Sequence, residues 1–278
     1  MSGVYNNDVK VEHVKKFKRL NYIAGIIQFI LCIFLCFWFC IEIVSDVNND
    51  VLQFNIGEYT GNGKGRSFGN IPVSCIVALL AIFTCITSCV HIFGYARAGS
   101  SYQDSVDNGK NWKRWVEYSI TATIMMIVIA LSSGTCALDT MVLVVVATFC
   151  CMVCGWISEE TAKSHTKVSK ISTLIGWLLL LSVIGVVMRR FTSIVKNALK
   201  GEGPPWWVFG IVISMFLLYS SFGFIHLFHM NKQWNDTVET NIHYNRKIEG
   251  AYTITSMIAK ITLVVFLASG LFAREASV

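Results

Sequence analysis

Lys260 stands inside an apolar stretch running from Ala251 to Val265, with apolar residues for about two helical turns or more on either side. An ammonium at the centre of a bilayer costs roughly 2.5–3.5 kcal/mol on insertion scales, so the position calls for a use. Snorkelling to the headgroups is a weak explanation at this distance from both ends of the stretch. Two uses remain: an amine that holds a ligand covalently, or a cation on an ion pathway.

An amine condensed with an aldehyde as a Schiff base stays cationic when a carboxylate sits opposite it. The other ionisable groups within the apolar stretches are Glu117, His91, Glu42 and Asp139, with Arg114, Glu249 and His226 near the ends. Glu117 lies about one turn into its stretch and is the candidate counterion. Arg114, three residues earlier on the same helix face, could keep it ionised; the same pair also reads as a marker of the membrane interface. Ser256 lies one turn before Lys260 on its own face. Asp139 and Glu42 fall close to the opposite boundary and read as interfacial. A long apolar aldehyde needs a slot lined by aromatic and flexible side chains. Met125, Met126, Trp177, Phe216, Tyr219, Phe222 and Phe224 stand at that depth; core packing explains any one of them equally well.

The elements that must position these groups follow from composition. The chain has 278 residues, 54% hydrophobic and 14% charged, which is membrane-protein composition. Seven apolar segments of spanning length lie at roughly 20–44, 72–97, 114–132, 136–156, 171–189, 206–229 and 248–273. The expectation is an all-α seven-helix membrane bundle over 20–273, with an amino-terminal tail at 1–19 and a carboxy-terminal tail at 274–278. Residues 1–19 show no signal-peptide pattern. Fifteen Lys and Arg fall on the amino-terminal side of the membrane and seven on the other, which places the amino terminus in the cytoplasm and the carboxy terminus outside. The net charge of +6 is then a topology signal, and nothing supports a nucleic-acid role.

All ten cysteines lie in or at the ends of apolar segments, which argues against a disulfide framework. The stripe Cys32–Cys36–Cys40 reads as small packing residues. His226 and His229 have the spacing of a metal pair but no evident third ligand, and no metal is expected. The long loop at 45–71 alternates Leu52, Phe54 and Ile56 with Gln53 and Asn55. A glycine-rich turn at 61–65 follows, so a short β-hairpin is expected there.

Seven helices, a lysine midway along the seventh and a carboxylate early in the third resemble the retinal-binding rhodopsins. Arg114–Trp115–Val116–Glu117–Tyr118–Ser119 and Ser256-x-x-x-Lys260 resemble the helix 3 and helix 7 signatures of the heliorhodopsins. The resemblance extends over nearly the whole chain and includes the inverted orientation and the β-forming first outer loop, which in that family serves a homodimer. It implies all-trans retinal on Lys260, Glu117 as counterion, and Ser256, Tyr118, Thr121, Met125, Trp177, Tyr219 and Phe222 around the ligand. It also implies a proton-accepting cluster of His91, Arg114 and Gln28. Where the family carries a histidine on the first helix, this chain offers Asn21, Tyr22 and Gln28.

The implied function is a light-sensing photoreceptor and not an enzyme. A photon isomerises the retinal, the Schiff-base proton leaves toward Glu117, His91 or water, and a slow cytoplasmic rearrangement is the signal. Outward pumping is disfavoured because Val128 stands where a second carboxylate would be, and Ser256 where pumps place an Asp. The rival reading is a light-gated proton or cation conductance, with Glu42, Asp139, Thr121 and Thr123 lining a path. A retinal-free transporter or a G-protein-coupled receptor fits poorly. The chain lacks Asp-Arg-Tyr and Asn-Pro-x-x-Tyr motifs, and no proline interrupts the last two segments. The lipid bilayer is a partner by composition, and the sequence identifies no cytoplasmic signalling partner.

Overall fold

The computed structural model describes residues 2–48, 53–59, 65–133, 135, 137–198, 206–235 and 242–275. The elements in chain order are α1 (Ser2–Asn48), β1 (Gln53–Tyr59), β2 (Gly65–Pro72), α2 (Val73–Cys89), α3 (Ser100–Asp107), α4 (Trp112–Ser132), α5 (Leu138–Thr161), α6 (Thr166–Ala198), α7 (Trp206–Asn235) and α8 (Ile242–Glu275). A π-helical segment, Val90–Ala96, continues α2. Seven of these helices are long and apolar enough to cross a membrane, and the protein is a multi-pass integral membrane protein. All of them satisfy their backbone internally, as a hydrocarbon solvent requires.

The apolar exterior follows from the same solvent. Ile30, Phe37, Leu143 and Phe228 are each more than 60% exposed, a surface that lipid covers and water would not tolerate over such an area. Inside, Leu35, Ile76, Leu80, Val128, Ile211 and Leu263 form the centre of one large core. Helix α1 packs against both α2 and α8, which closes the ring. Small side chains let α1 and α2 approach closely: Ser88 Oγ donates to the Gly25 carbonyl at 2.9 Å and Cys32 Sγ contacts the Ala81 carbonyl at 3.5 Å. Cys32 thus packs between helices, and the described cysteines are free thiols. Cys136 lies outside the described residues.

Several elements differ from the sequence expectation. The stretch 97–114, read as a loop, contains α3, a short helix whose Tyr102 and Val106 bury against Phe17, Tyr95 and Ala98. Eight residues of mostly polar composition carry no spanning signal, and it is this docking that stabilises them as a helix. Helices α5, α6 and α8 also extend beyond the apolar segments at the amino-terminal end of the bundle, because polar residues there pair inside the protein. The segment 1–19, read as a tail, is helical from Ser2 as the first turns of α1, with Lys16 and Glu12 paired one turn apart at 2.7 Å.

Strands β1 and β2 pair antiparallel, with a register irregularity at Ile56/Gly57. Leu52 and the turn at 61–64 lie outside the described residues. Gly109, with φ of +76°, makes the turn between α3 and α4. A Cβ there would be strained and would overlap the Gln233 amide.

Candidate functional site

Lys260 on α8 is 2% exposed, and its Nζ donates to Glu117 Oε1 on α4 at 2.9 Å and to Thr87 Oγ1 on α2 at 2.5 Å. The second Glu117 oxygen accepts from the Tyr95 hydroxyl at 3.0 Å. A carboxylate and a hydroxyl from two other helices therefore hold one buried ammonium. Removing either partner of such a pair leaves an uncompensated charge at a cost of about 3–5 kcal/mol. Tyr95 and His91 both belong to the π-helical segment and both are buried. The wider π turn keeps them on one inward face, their rings edge to face at 5.1 Å. His91 Nδ1 lies 2.8 Å from Asn21 Oδ1 on α1.

Beside Lys260 runs an apolar cavity whose walls include Trp115, Tyr118, Trp177, Tyr219, Phe222 and Tyr252. Its empty space, counted out to its open side and including open solvent there, is about 820 Å³. Two glycines shape it. A Cβ at Gly155 would overlap the six-membered ring of Trp115, and one at Gly223 would come within 2.9 Å of Trp177 Cζ2. Both indoles can therefore lie close against the neighbouring helix. Tyr219 OH donates to the Ala122 carbonyl at 3.1 Å and Tyr118 OH to the Tyr252 carbonyl at 3.3 Å. The phenols are thus satisfied, and the faces left toward the cavity are apolar. A primary amine at one end of an aromatic slot fits an elongated apolar aldehyde.

A second polar centre lies nearer the amino-terminal end. Arg114 pairs with Glu159 on α5 and with Glu249 on α8, all three buried. Its guanidinium lies 3.9 Å from the centre of the Tyr252 ring. Asn111 ties the centre together. Its Oδ1 caps α4 by accepting from Arg114 N at 3.2 Å and also accepts from Tyr102 OH at 3.1 Å. Its Nδ2 donates to Glu249 Oε2 at 2.7 Å, and its backbone N to Glu159 Oε2 at 3.2 Å. Burial raises the Tyr102 phenol above its ordinary value, which keeps it a donor. Farther out, Arg246 pairs with Asp107 at 2.6 Å and donates to Gln103 Oε1 at 3.0 Å, which fastens α3 to α8.

The sequence-nominated residues fall into three groups. Lys260, Ser256, Tyr118, Thr121, Met125, Trp177, Tyr219 and Phe222 come together around the one cavity, with Glu117 at its lysine end. His91 and Arg114 line a smaller polar cavity, whereas Gln28 is not on its wall and keeps both amide atoms buried without a hydrogen bond. The expected Arg114–Glu117 pairing does not form. Arg114 turns to the two acids of α5 and α8, and Glu117, one turn deeper, meets Lys260 instead. Phe216 and Phe224 lie half-exposed on the outside. Tyr22 is also half-exposed, so of the helix 1 residues that stand in for the histidine it is Asn21 that faces His91. Among the described residues no group of three metal-ligating side chains occurs. His226 instead contacts Ser158 Oγ at 2.8 Å and Tyr252 OH at 3.2 Å.

Sequence reasoning missed Thr87, Tyr95, Trp115, Tyr252, Asn111 and Glu159 as site residues. Glu159 lay beyond the apolar segment ending near 156 and read as loop. The clue available was helical spacing, since Glu159 falls one turn after Gly155 on the same face. Trp115 stands within Arg114–Ser119, where the sequence alone assigns it no role. Nothing in the sequence distinguished Thr87 or Tyr95 from ordinary helix residues.

The heliorhodopsin family model matches residues 17–271. Among solved structures, the chain is similar to the crystal structure of thermophilic rhodopsin, with a TM-score of 0.62 over 93% of this chain and 92% of that one. The identity is 10%, so that likeness speaks for the seven-helix fold. No curated protein matches the sequence.

Proposed function

The chain belongs to the heliorhodopsin family, whose membership implies a retinal photoreceptor, and on that premise we propose that this protein is a light sensor that relocates a proton without pumping it outward. The observation that carries the reading is the buried Lys260–Glu117 pair at the end of the aromatic cavity. All-trans retinal, joined through Lys260 Nζ, supplies visible absorption and a light-driven change of shape. Trp115, Tyr118, Trp177, Tyr219 and Phe222 hold the ligand and exclude water from Nζ. Glu117 and Thr87 hold the proton on Nζ in the dark, Glu117 by its charge. When Nζ swings away from Glu117 Oε1, the proton is released into a polar region containing Tyr95, His91 and Asn21.

The bundle supports release toward the amino-terminal side. Among the described residues, the buried acids, bases and arginines lie level with Lys260 or on that side of it. The excess of Lys and Arg there supports a cytoplasmic amino terminus and an extracellular carboxy terminus. A slow rearrangement on the cytoplasmic side is then the signal, read by a cytoplasmic partner. A homodimer through the first outer loop, of the kind the family resemblance implies, is part of the same proposal.

A light-gated conductance would need polar groups through the opposite half. Val128 is fully buried among apolar residues, Asp139 is exposed, and the Thr123 hydroxyl bonds the Ser119 carbonyl of its own helix. These features favour the sensor. Adding all-trans retinal to the purified protein should produce a visible absorption band, and voltage-clamped cells expressing it should show no photocurrent on illumination. A reproducible photocurrent would replace the sensor by the conductance, and a colourless protein would remove both.

A further inference from the structure

The polar cavity between the two buried centres has Asn21, His91 and Tyr95 on one wall and Asn111, Arg114 and Glu249 on another. It therefore touches both the surroundings of the Lys260–Glu117 pair and the Arg114 cluster. In that cluster one guanidinium faces two carboxylates, so with both ionised it holds one negative charge in excess, inside a low-dielectric bundle where such a charge is costly. The two acids are not equivalent. Glu159 accepts from Arg114 and the Asn111 backbone and lies 3.7 Å from His229 Nδ1. Glu249 has Arg114 and the Asn111 side chain, and it is the acid on the cavity wall.

We infer that Glu249 is the resting place of the proton that leaves Lys260 Nζ, and that its neutralisation loosens α3 through Asn111. The inference rests on the light-driven release proposed above and names where that proton goes and what it moves. The balance is simple: one N–H bond breaks at Nζ, one O–H bond forms on the Glu249 carboxyl, and no electron changes hands. Groups facing Glu249 come from every side: Arg114 and Asn111 from α4 and its cap, Glu159 from α5, Tyr102 from α3, Tyr252 from α8 itself, and His229 behind Glu159. His91 and Tyr95 stand across the cavity and can pass the proton. Once Glu249 is neutral, its hydrogen bond from Asn111 Nδ2 loses its charge assistance. Asn111 is also the acceptor that holds Tyr102 OH, so the change reaches α3 directly. Gln103 and Asp107 remain tied to Arg246, which makes the expected motion a loosening at the Tyr102 end of α3.

Light-minus-dark infrared spectra of the full-length protein loaded with all-trans retinal test the proton site. A carbonyl-stretch band of a neutral carboxylic acid should rise as Nζ loses its proton, vanish in Glu249→Gln, persist in Glu159→Gln, and return shifted in Glu249→Asp. The dark visible band of each variant reports that it is folded and loaded, and Glu249→Asp covers a failure of Glu249→Gln to assemble. Hydrogen exchange of the peptide covering 100–107 should rise under illumination in the unmodified protein and stay at its dark level in Glu249→Gln. A band that survives Glu249→Gln, or that is lost in Glu159→Gln instead, overturns the assignment. An equal rise in α3 exchange in Glu249→Gln overturns the coupling. An unmodified protein without a visible band fails at the earlier step and defeats the light-sensor reading itself.

Discussion

The two ends of this bundle are built from different chemistry, although the helices that form them are continuous. Toward the amino-terminal end, Asp107, Arg114, Glu159, His229, Arg246 and Glu249 are all buried, with Arg114 paired to Glu159 and Glu249 and Arg246 paired to Asp107. Toward the other end the interior is Leu35, Trp38, Ile76, Leu80, Ile129, Leu131 and Ile211, with hydroxyls such as Ser133 bonding their own helix carbonyls. Lys260 and Glu117 sit where the two kinds of interior meet. Under the proposed function, a proton leaving that boundary would find acceptors in one direction and hydrocarbon in the other, so its direction would be set by the whole bundle and by no single residue.

The largest expected effect removes the boundary itself. Lys260→Ala should abolish the visible band formed with all-trans retinal, and colour surviving the change would refute the covalent linkage. Next, Glu117→Gln removes the charge opposite Nζ. Its absorption should move to longer wavelength, or the proton on Nζ should be lost at neutral pH, as a spectrum taken across a pH titration would show. An unchanged spectrum and titration would mean that another group is the counterion.

The contrast between the ends is sharpened by a matched pair of changes. Arg114→Gln leaves Glu159 and Glu249 buried without their cation and should cost about 3–5 kcal/mol. Leu263→Ala, at a fully buried position in the apolar core, should cost about 2–5 kcal/mol through its cavity. The two should part with pH when thermal loss of the visible band is followed. Acidification protonates the orphaned carboxylates, so the Arg114→Gln defect should shrink as pH falls, whereas the Leu263→Ala defect should stay constant. Equal pH dependence would mean that the polar end is not held by its charges. The smallest effect is expected from Thr87→Val, which removes one neutral acceptor from Nζ while Glu117 remains. A spectral shift smaller than that of Glu117→Gln should result, and a larger one would make Thr87 the dominant partner.

Much of this arrangement was legible in the residues. Spanning helices announce themselves by apolar runs of about 20 residues, and a buried lysine with a carboxylate at matching depth is rare enough to be noticed. The partner of Arg114 was not legible. Spacing along one helix suggested Glu117, but the acids that reach it come from α5 and α8, 45 and 135 positions away. The helix α3 and the π-helical segment were also hidden. The first is stabilised by docking, and the second redirects Tyr95 by a local change of helical pitch that no residue type encodes.

By itself, the sequence determined the number of spans, the buried lysine at the cavity, its carboxylate partner and most of the aromatic wall. These depend on composition, on depth along a helix and on a local string of residues, all of which are one-dimensional. Tertiary structure decided which charges meet, that Tyr95 and Thr87 complete the lysine site, and that Asn111 links a buried carboxylate to α3. Those outcomes depend on which faces the closed ring of helices turns toward one another, a relation between distant segments that exists once the chain has packed.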